Sequence, residues 1–306
     1  MISRDEVRRA LSGPIMSLST PFLADGEIDY EGVRRIIDYT IEEGASKAVV
    51  LTSGDGLFTV MSDEEVAQLT KVVIEHTRGR AMVVAADNYW WTGQAIEFAK
   101  YVRKLGADIL MIRPPDWAKS CTVATMIEHY AAVADQEIPL MLVSNVFAER
   151  DLAFSMDVLE RLKAQVKGIY AVKDDLCGEF GRKLALLVHE QWGVFASGSK
   201  QATVNAMPYG LDGYLSIFIL FKPNVAHEFF EALLGNDWDK VKKIINECDV
   251  PFWDYITNSP GGVDAPVHGI LELKGLAQRW RRKPYYSLND EEMEHLAGFL
   301  TNKGWL

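Results

Sequence analysis

Short apolar runs and amphipathic stretches alternate along most of this chain of 306 residues. Each apolar run has the length and composition of a strand buried on both faces. The stretches between them, such as 29–43, 62–76, 92–105 and 122–136, have the spacing of amphipathic helices. The runs begin near Pro14, Lys47, Ala81, Ala107, Ile138, Gly168, Gly193 and Gly213. Strands that alternate with helices in this way predict an α/β fold, a closed parallel (β/α)₈ TIM barrel.

The alternative to the barrel is a doubly wound open sheet. The first strand-to-helix turn lacks the GxGxxG phosphate loop typical of that fold, which favours the barrel. The pattern then changes to helical segments alone, at 237–248, 263–280 and 290–301. No linker rich in Gly, Ser or Pro precedes them. We therefore expect a catalytic barrel at 1–235 and a C-terminal helical extension at 236–306 that packs on it.

The charge and the cysteines restrict the partners. A net charge of −11 argues against nucleic acid, because phosphate binding needs a basic surface. No segment approaches the roughly 20 apolar residues that span a bilayer, so no membrane partner is expected. Cys121, Cys177 and Cys248 are far apart and odd in number, which predicts free thiols in the reducing cytoplasm. The six histidines show no ligand spacing, so we expect no metal site.

The sixth apolar run ends in Lys173, which Asp174 and Asp175 follow. Desolvation disfavours an ammonium ion, and a lysine that is neutral part of the time can form a Schiff base with a carbonyl. The alternative is a lysine that leaves the barrel rim and pairs with one of the two aspartates. Because barrel enzymes carry their sites at the C-terminal ends of the strands, Lys173 is a candidate catalytic residue.

Other predicted strand ends carry a series of motifs. The first is TPF followed by DGEID at 25–29, and the second is the turn TSGDG at 52–56. Further along, GAD at 106–108 leads to a Pro-Pro pair, and IPL at 138–140 leads to Ser-Asn before the Lys-Asp of the sixth strand. In this order the motifs resemble the dihydrodipicolinate synthase / N-acetylneuraminate lyase family of class I, Schiff-base-forming aldolases. The resemblance spans most of the chain, and the helical tail also fits the family.

The resemblance implies a reaction. In the family the strand-six lysine, here Lys173, forms an imine with pyruvate or another 2-oxo acid, and no separate cofactor is expected. The iminium serves as an electron sink for breaking or forming a neighbouring bond. The hydroxyl-rich turn would hold the carboxylate through Ser53 and Gly54, with Thr52 adjacent. The alternative for this motif is an ordinary tight turn. The family also implies a homotetramer or homodimer.

The chain departs from the family at the fifth strand. The family has a Tyr-Asn pair there, and the tyrosine carries protons to and from the substrate. Here the pair is Ser144-Asn145. A serine hydroxyl is far less acidic than a phenol, whose pKa is about 10. We expect Ser144 to act in catalysis, through a water molecule, in place of the phenol.

Several other residues are candidates for the substrate site. Asp116 and Trp117 replace the aromatic pair that follows the prolines in the family. We expect Asp55, Trp117 and Ser216 to contact the substrate. Asp55 and Asp116 are candidate bases for a dehydratase, or rim carboxylates that make turn hydrogen bonds. Arg150 is a candidate for the family arginine that binds a distal carboxylate.

Two functions remain open from the sequence. The first is a Schiff-base lyase, an aldolase or dehydratase acting on pyruvate, a longer 2-oxo acid or a keto-deoxy sugar acid. The second is a diverged family member with little turnover that binds a 2-oxo acid in a binding or regulatory role. The missing tyrosine favours the second. Lys173 favours the first, because a buried lysine without a function costs stability.

Overall fold

The structure is a computed structural model that describes residues 2–306, and its core is a closed barrel of parallel strands in sequence order. Each strand pairs with the next, and the last strand closes on the first with Gly213 opposite Gly13. The predicted barrel is confirmed, and the open sheet was the wrong alternative. The strands are β1 (Gly13–Ser17), β2 (Ala48–Val50), β3 (Met82–Ala86), β4 (Ile109–Ile112), β5 (Leu140–Val143), β6 (Ile169–Asp174), β7 (Gly193–Ala196) and β8 (Gly213–Leu215).

Helices surround the barrel and continue beyond it. None of the helices in residues 2–306 is long and apolar enough to cross a lipid bilayer. The helices up to the end of the barrel are α1 (Arg4–Leu11), α2 (Tyr30–Glu42), α3 (Asp63–Thr77), α4 (Thr92–Leu105), α5 (Val123–Ala134), α6 (Leu152–Gln165), α7 (Gly178–Val188), α8 (Lys200–Ala206) and α9 (Pro223–Leu234). Those of the C-terminal part are α10 (Trp238–Ile244), α11 (Val250–Thr257), α12 (Asp264–Leu273) and α13 (Asp290–Asn302).

Local sequence explains where several helices begin. Ser62 caps α3 by accepting from the backbone N–H of Glu65, whose carboxylate in turn accepts from the backbone N–H of Ser62. This reciprocal pair satisfies two N–H groups that a helix start leaves open, and the acidic first turn favours the helix dipole. Thr122 caps α5 in the same way, as expected.

Helix α1 packs against the N-terminal ends of the last strands. Its buried residues are Val7 and Leu11. The backbone of Leu11 lies so close to the start of β8 that a Cβ on Gly213 would stand 2.0 Å from its carbonyl oxygen. Only glycine fits there. Because α1 covers this end, the opposite end, where the strands terminate, is the one open to a ligand.

The helical extension differs in detail from the sequence pattern. The helix predicted at 237–248 continues through a π-helical segment, Ile245–Asp249, directly into α11. The helix predicted at 263–280 ends at Leu273. A π-segment inserts an extra residue into the helical repeat, so the 3.6-residue pattern is interrupted there.

The extension shares a core with the barrel. The ring of Phe252 lies 5.0 Å from that of Phe218 and 5.3 Å from that of Phe221, both of which follow β8. Trp305, close to the C-terminus, packs 5.7 Å from Phe218. On another side, Arg282 donates two hydrogen bonds of 2.7 Å to the Glu65 carboxylate of α3. These contacts hold α11 and α12 over the open end of the barrel.

Candidate active site

A cavity of about 460 Å³ lies at the C-terminal ends of the strands. Residues that end the strands form its floor and walls, as expected for a barrel enzyme. The extension supplies part of the wall through Trp253 of α11 and Asp264 of α12. The sequence pattern assigned the extension no residue of the site, so this contribution was missed.

Lys173 lies near the end of β6 and points into this cavity. The residue is only 7% exposed. Its Nζ pairs with the Asp175 carboxylate, which also lines the cavity. The acidic partner of the second alternative is present, but the lysine is buried in the cavity and not exposed at the rim. The catalytic role of Lys173 stays a prediction. The ion pair holds Nζ inside the cavity, next to a second ionisable side chain.

The turn at residues 52–56 forms a second wall. Thr52, Ser53 and Gly54 all line the cavity. The Thr52 hydroxyl accepts a 3.1 Å hydrogen bond from the backbone N–H of Asp55, which closes the turn. The turn is tight, since a Cβ on Gly56 would lie 2.3 Å from the Thr52 carbonyl oxygen. The Ser53 hydroxyl remains on the cavity side.

Two carboxylates face each other beside this turn. Asp55 accepts a hydrogen bond from the Ser17 hydroxyl at the end of β1. Asp264 of α12 lies near it, with Arg281 at 3.6 Å behind. Burial and the negative charge of Asp55 raise the pKa of the Asp264 carboxyl, against the opposing effect of Arg281. The pair gives this side of the cavity an acidic, hydrogen-bond-accepting character.

Arg113, directly after β4, supplies a second cation that the sequence analysis missed. Its Nη2 donates to the Ser53 hydroxyl at 2.8 Å and its Nη1 to the Asn145 side chain at 3.2 Å. The guanidinium stacks on the Tyr89 ring, 3.3 Å from the centroid. Burial lowers the pKa of Arg113 to about 10. A signal was present, since Arg113 ends an apolar run as Lys173 does.

Comparisons with known proteins place this geometry in a family. The model of the dihydrodipicolinate synthetase family matches residues 10–303. The chain belongs to the dihydrodipicolinate synthetase family. It is therefore an enzyme, a lyase of the class I aldolase type.

The relatives in this family carry different names. The chain is 27% identical to 4-hydroxy-tetrahydrodipicolinate synthase of Chloroherpeton thalassium, over 97% of each chain. It is 25% identical to probable 5-dehydro-4-deoxyglucarate dehydratase 2 of Streptomyces coelicolor, over 96% of this chain and 91% of the relative. Among solved structures, N-acetylneuraminate lyase of Fusobacterium nucleatum superposes with a TM-score of 0.83 at 20% identity, over 96% and 99% of the two chains. This last likeness supports the fold alone.

The structure corrects the expected role of Ser144. The residue paired with Lys173 across the sheet is Val143, the last residue of β5, which lines the cavity. Ser144 is fully buried and turned away from the cavity. Its hydroxyl donates to Asp174 at 2.9 Å and accepts from the backbone N–H of Asp175 at 2.8 Å. Ser144 therefore shapes the turn after β6, and the strand-five residue paired with Lys173 is aliphatic.

The loop after β4 also departs from expectation. Trp117 is 88% exposed and is not among the residues that line the cavity. Asp116 and Arg150 form a two-point ion pair of 2.7 and 2.8 Å outside the cavity wall. Neither the expected Trp117 contact nor a distal-carboxylate role for Arg150 has support in this geometry. Ser216, by contrast, does line the cavity, at the end of β8.

The buried acid Asp87, at the end of β3, was also missed as a site residue. Its Oδ1 accepts a 3.1 Å hydrogen bond from the backbone N–H of Arg113, and its Oδ2 is buried without a hydrogen-bond partner. Burial raises the pKa of Asp87 well above its ordinary value.

Within residues 2–306 no group of three His, Cys, Asp or Glu side chains has the arrangement of a metal site.

Proposed function

We propose that this protein is a Schiff-base-dependent lyase that acts on a 2-oxo acid through an imine on Lys173. The observation that carries the proposal is the buried lysine in an open-ended cavity, paired with Asp175. The neutral Nζ adds to the C2 carbonyl of the 2-oxo acid, and the resulting carbinolamine loses water to give a protonated imine. The imine then accepts the electron pair of a neighbouring bond that breaks.

Asp175 is the proton carrier in this proposal. It accepts the proton of the Lys173 ammonium and returns it to the carbinolamine hydroxyl, which leaves as water. The side chain lies within contact of Nζ, while Val143 offers no hydroxyl on the neighbouring strand. Asp175 can therefore serve where the family uses its strand-five tyrosine. Positioned acid–base groups are typically worth about 10² to 10⁴ in rate.

The cavity walls support a hydroxylated substrate. The carboxyl groups of Asp55 and Asp264 can accept hydrogen bonds, and the serines Ser17, Ser197 and Ser216 line the same space. Such walls suit a tail with several hydroxyl groups, as in a keto-deoxy sugar acid, and disfavour an apolar tail. The relative named as a 5-dehydro-4-deoxyglucarate dehydratase acts, by its name, on a keto-deoxy sugar acid that carries a second carboxylate, and the acidic residues of this cavity favour a tail without that charge. Both dehydration and carbon–carbon cleavage proceed from the same imine.

Borohydride trapping tests the imine. The protein is incubated with pyruvate and then reduced, and the intact mass and the modified peptide are measured. We expect a stable adduct on Lys173 that is absent from Lys173→Ala and present in the matched control Lys183→Ala, an exposed lysine of α7. An adduct on another lysine, or none with any 2-oxo acid in a panel, contradicts the proposal.

The second candidate function is a binding or regulatory role with little turnover. Val143 at the position that faces the imine is the observation that favours it. One experiment distinguishes the two functions. Turnover of hydroxylated 2-oxo acids and formation of the Lys173 adduct are measured in the wild type and in Asp175→Asn. A lyase shows turnover in the wild type that falls about 10²- to 10⁴-fold in the variant, whose adduct also forms more slowly because Asp175 serves imine formation. A binding protein shows the adduct in both proteins and turnover in neither.

Assembly and location belong to the same proposal. We propose a homodimer or homotetramer, because exposed aromatic side chains such as Trp91 and Trp117 stand on the loops at the rim. Sedimentation at several protein concentrations tests this.

We propose a cytoplasmic location, which the free thiols of all three cysteines support.

A further inference from the structure

Arg113 is a half-buried cation whose side-chain hydrogen-bond partners are neutral. It donates to the Ser53 hydroxyl and to the Asn145 amide oxygen, and its plane lies on the Tyr89 ring. Its Nε is buried and has no hydrogen-bond partner. The guanidinium lines the same cavity as Lys173. The guanidinium is thus held in one place by neutral groups. The carboxyl groups of Asp87 and Asp175 act on it from a distance, and neither is in salt-bridge contact with it.

The other cations around the cavity have carboxylate partners. Lys173 pairs with Asp175, Arg150 with Asp116, and Arg281 with Asp264. Moving a guanidinium out of water costs free energy. A carboxylate or phosphate in contact would offset that cost, and Arg113 has no such contact in the folded protein. Its planar donors match the two oxygens of a carboxylate. An anion that enters the cavity would supply the missing partner.

We propose that Arg113 binds the C1 carboxylate of the 2-oxo acid, together with the Ser53 hydroxyl and the backbone of the turn at 52–56. This inference rests on the proposed function. Because Nη2 already donates to Ser53, the serine hydroxyl hydrogen is free to point at the same anion. Arginine, serine and turn backbone then converge on one carboxylate. The cation comes from the end of β4, whereas Arg150, in the loop after β5, is occupied by Asp116.

The remaining charges of the cavity set the substrate class. Asp55, Asp175 and Asp264 line the same cavity as Arg113. A second carboxylate on the substrate would meet these acids and be repelled. The substrate class is therefore a 2-oxo acid with one carboxylate and an uncharged, hydroxylated tail.

The test compares pyruvate with its uncharged analogue methyl pyruvate in the trapping assay. We measure the concentration that gives half-maximal adduct on Lys173 in wild type, Arg113→Gln and Arg113→Lys. Arg113→Gln should raise the half-maximal concentration of pyruvate about 10- to 100-fold, which is the usual effect of losing a hydrogen bond to a charged group. The half-maximal concentration of methyl pyruvate should stay within about twofold of the wild-type value. Arg113→Lys keeps the positive charge but loses the paired N–H donors of the guanidinium. Its half-maximal concentration of pyruvate should therefore lie between those of the wild type and Arg113→Gln.

The ratio of the two half-maximal concentrations is independent of how much of a variant folds correctly, so a destabilised protein still gives a result. Arg150→Gln is the matched control, and its ratio should equal that of the wild type. An unchanged ratio in Arg113→Gln overturns the inference. So does an equal loss for both compounds, which would mean that Arg113 only maintains the shape of the cavity.

A second measurement separates this inference from the proposed function. Calorimetric binding of pyruvate is measured in Lys173→Ala, which cannot form the imine, with and without Arg113→Gln. Binding that requires Arg113 supports the carboxylate site even if the wild type forms no adduct. Binding that is the same in both proteins overturns it even if the imine forms.

Discussion

At the scale of single residues, the turn after β6 depends on Ser144. Its hydroxyl accepts from the backbone N–H groups of Asp175 and Leu176 and donates to the Asp174 carboxylate. One buried side chain thus satisfies three polar groups next to the candidate nucleophile. The sequence suggested a catalytic hydroxyl at this position, but its contacts are those of a structural residue that positions Asp175.

Ser144→Ala should lower the free energy of unfolding by about 1–3 kcal/mol, because buried donors and an acceptor lose their partner. The Lys173 adduct should still form. Urea unfolding and borohydride trapping measure the two effects. The matched control is Ser155→Ala. The buried Ser155 hydroxyl donates to the carbonyl of Asp151 at the start of α6, so its removal should lower the free energy of unfolding by less. Unchanged stability with loss of the adduct would place Ser144 in the chemistry.

A second residue-scale feature is the buried carboxyl of Asp87. Burial raises its pKa in the folded protein, while the unfolded chain keeps a value of about 3.9. Between these two values the native state holds a proton that the unfolded state has released. Stability is therefore greatest below about pH 4 for this group, and it falls as the pH rises towards the folded pKa.

Asp87→Asn should remove this contribution, because the amide stays neutral at every pH. Above pH 4, the free energy of unfolding of the wild type should fall, relative to that of the variant, by up to about 1.4 kcal/mol per pH unit. Urea unfolding at several pH values measures both slopes, and only their difference belongs to Asp87. Parallel slopes would show that the carboxyl is ionised in the folded protein.

At the scale of elements, a buried ion pair joins the extension to α8. Lys200 and Asp249 are both fully buried, with Nζ 3.3 Å from Oδ1. The ammonium also lies 3.7 Å from the centre of the Phe218 ring. Asp249 is the last residue of the π-segment between α10 and α11. The π-segment and the ion pair together fix how α11 approaches the barrel, and Trp253 of α11 reaches the cavity.

Asp249→Ala should lower the free energy of unfolding by about 3–5 kcal/mol, because it leaves an uncompensated buried ammonium. The double variant Lys200→Met with Asp249→Leu should lose less free energy of unfolding than either Lys200→Met or Asp249→Leu alone. A double-mutant cycle by urea unfolding measures the coupling. Additive losses would mean that the two side chains do not stabilise each other.

At the scale of the whole molecule, barrel and extension share one core and one cavity. Phe252 and Trp305 cover aromatic side chains that follow β8, and Asp264 lines the site. The division at residue 235 stays a prediction. We expect the fragment 1–235 to aggregate and to form no adduct, because it exposes Phe218 and opens the cavity. Size-exclusion chromatography and trapping test this. A soluble fragment with cooperative unfolding would make the barrel an independent domain.

The sequence by itself determined the barrel, the family and the position of Lys173. Apolar runs and helical spacing are local properties, so eight strands, their order and the residues that end them could be read directly. Lys173 was found because one run ends in a lysine, and Thr52 and Ser53 because a hydroxyl-rich turn follows another.

Only the tertiary structure decided which side chains meet. Whether Val143 or Ser144 faces Lys173 depends on a register of one residue, and a shift of one residue exchanges the two faces of a strand. Arg113 became a site residue through its contacts with Ser53 and Asn145 across the barrel. Asp264 entered the site because the extension folds back over the strand ends. Such contacts join residues far apart in the chain, and no local pattern encodes them.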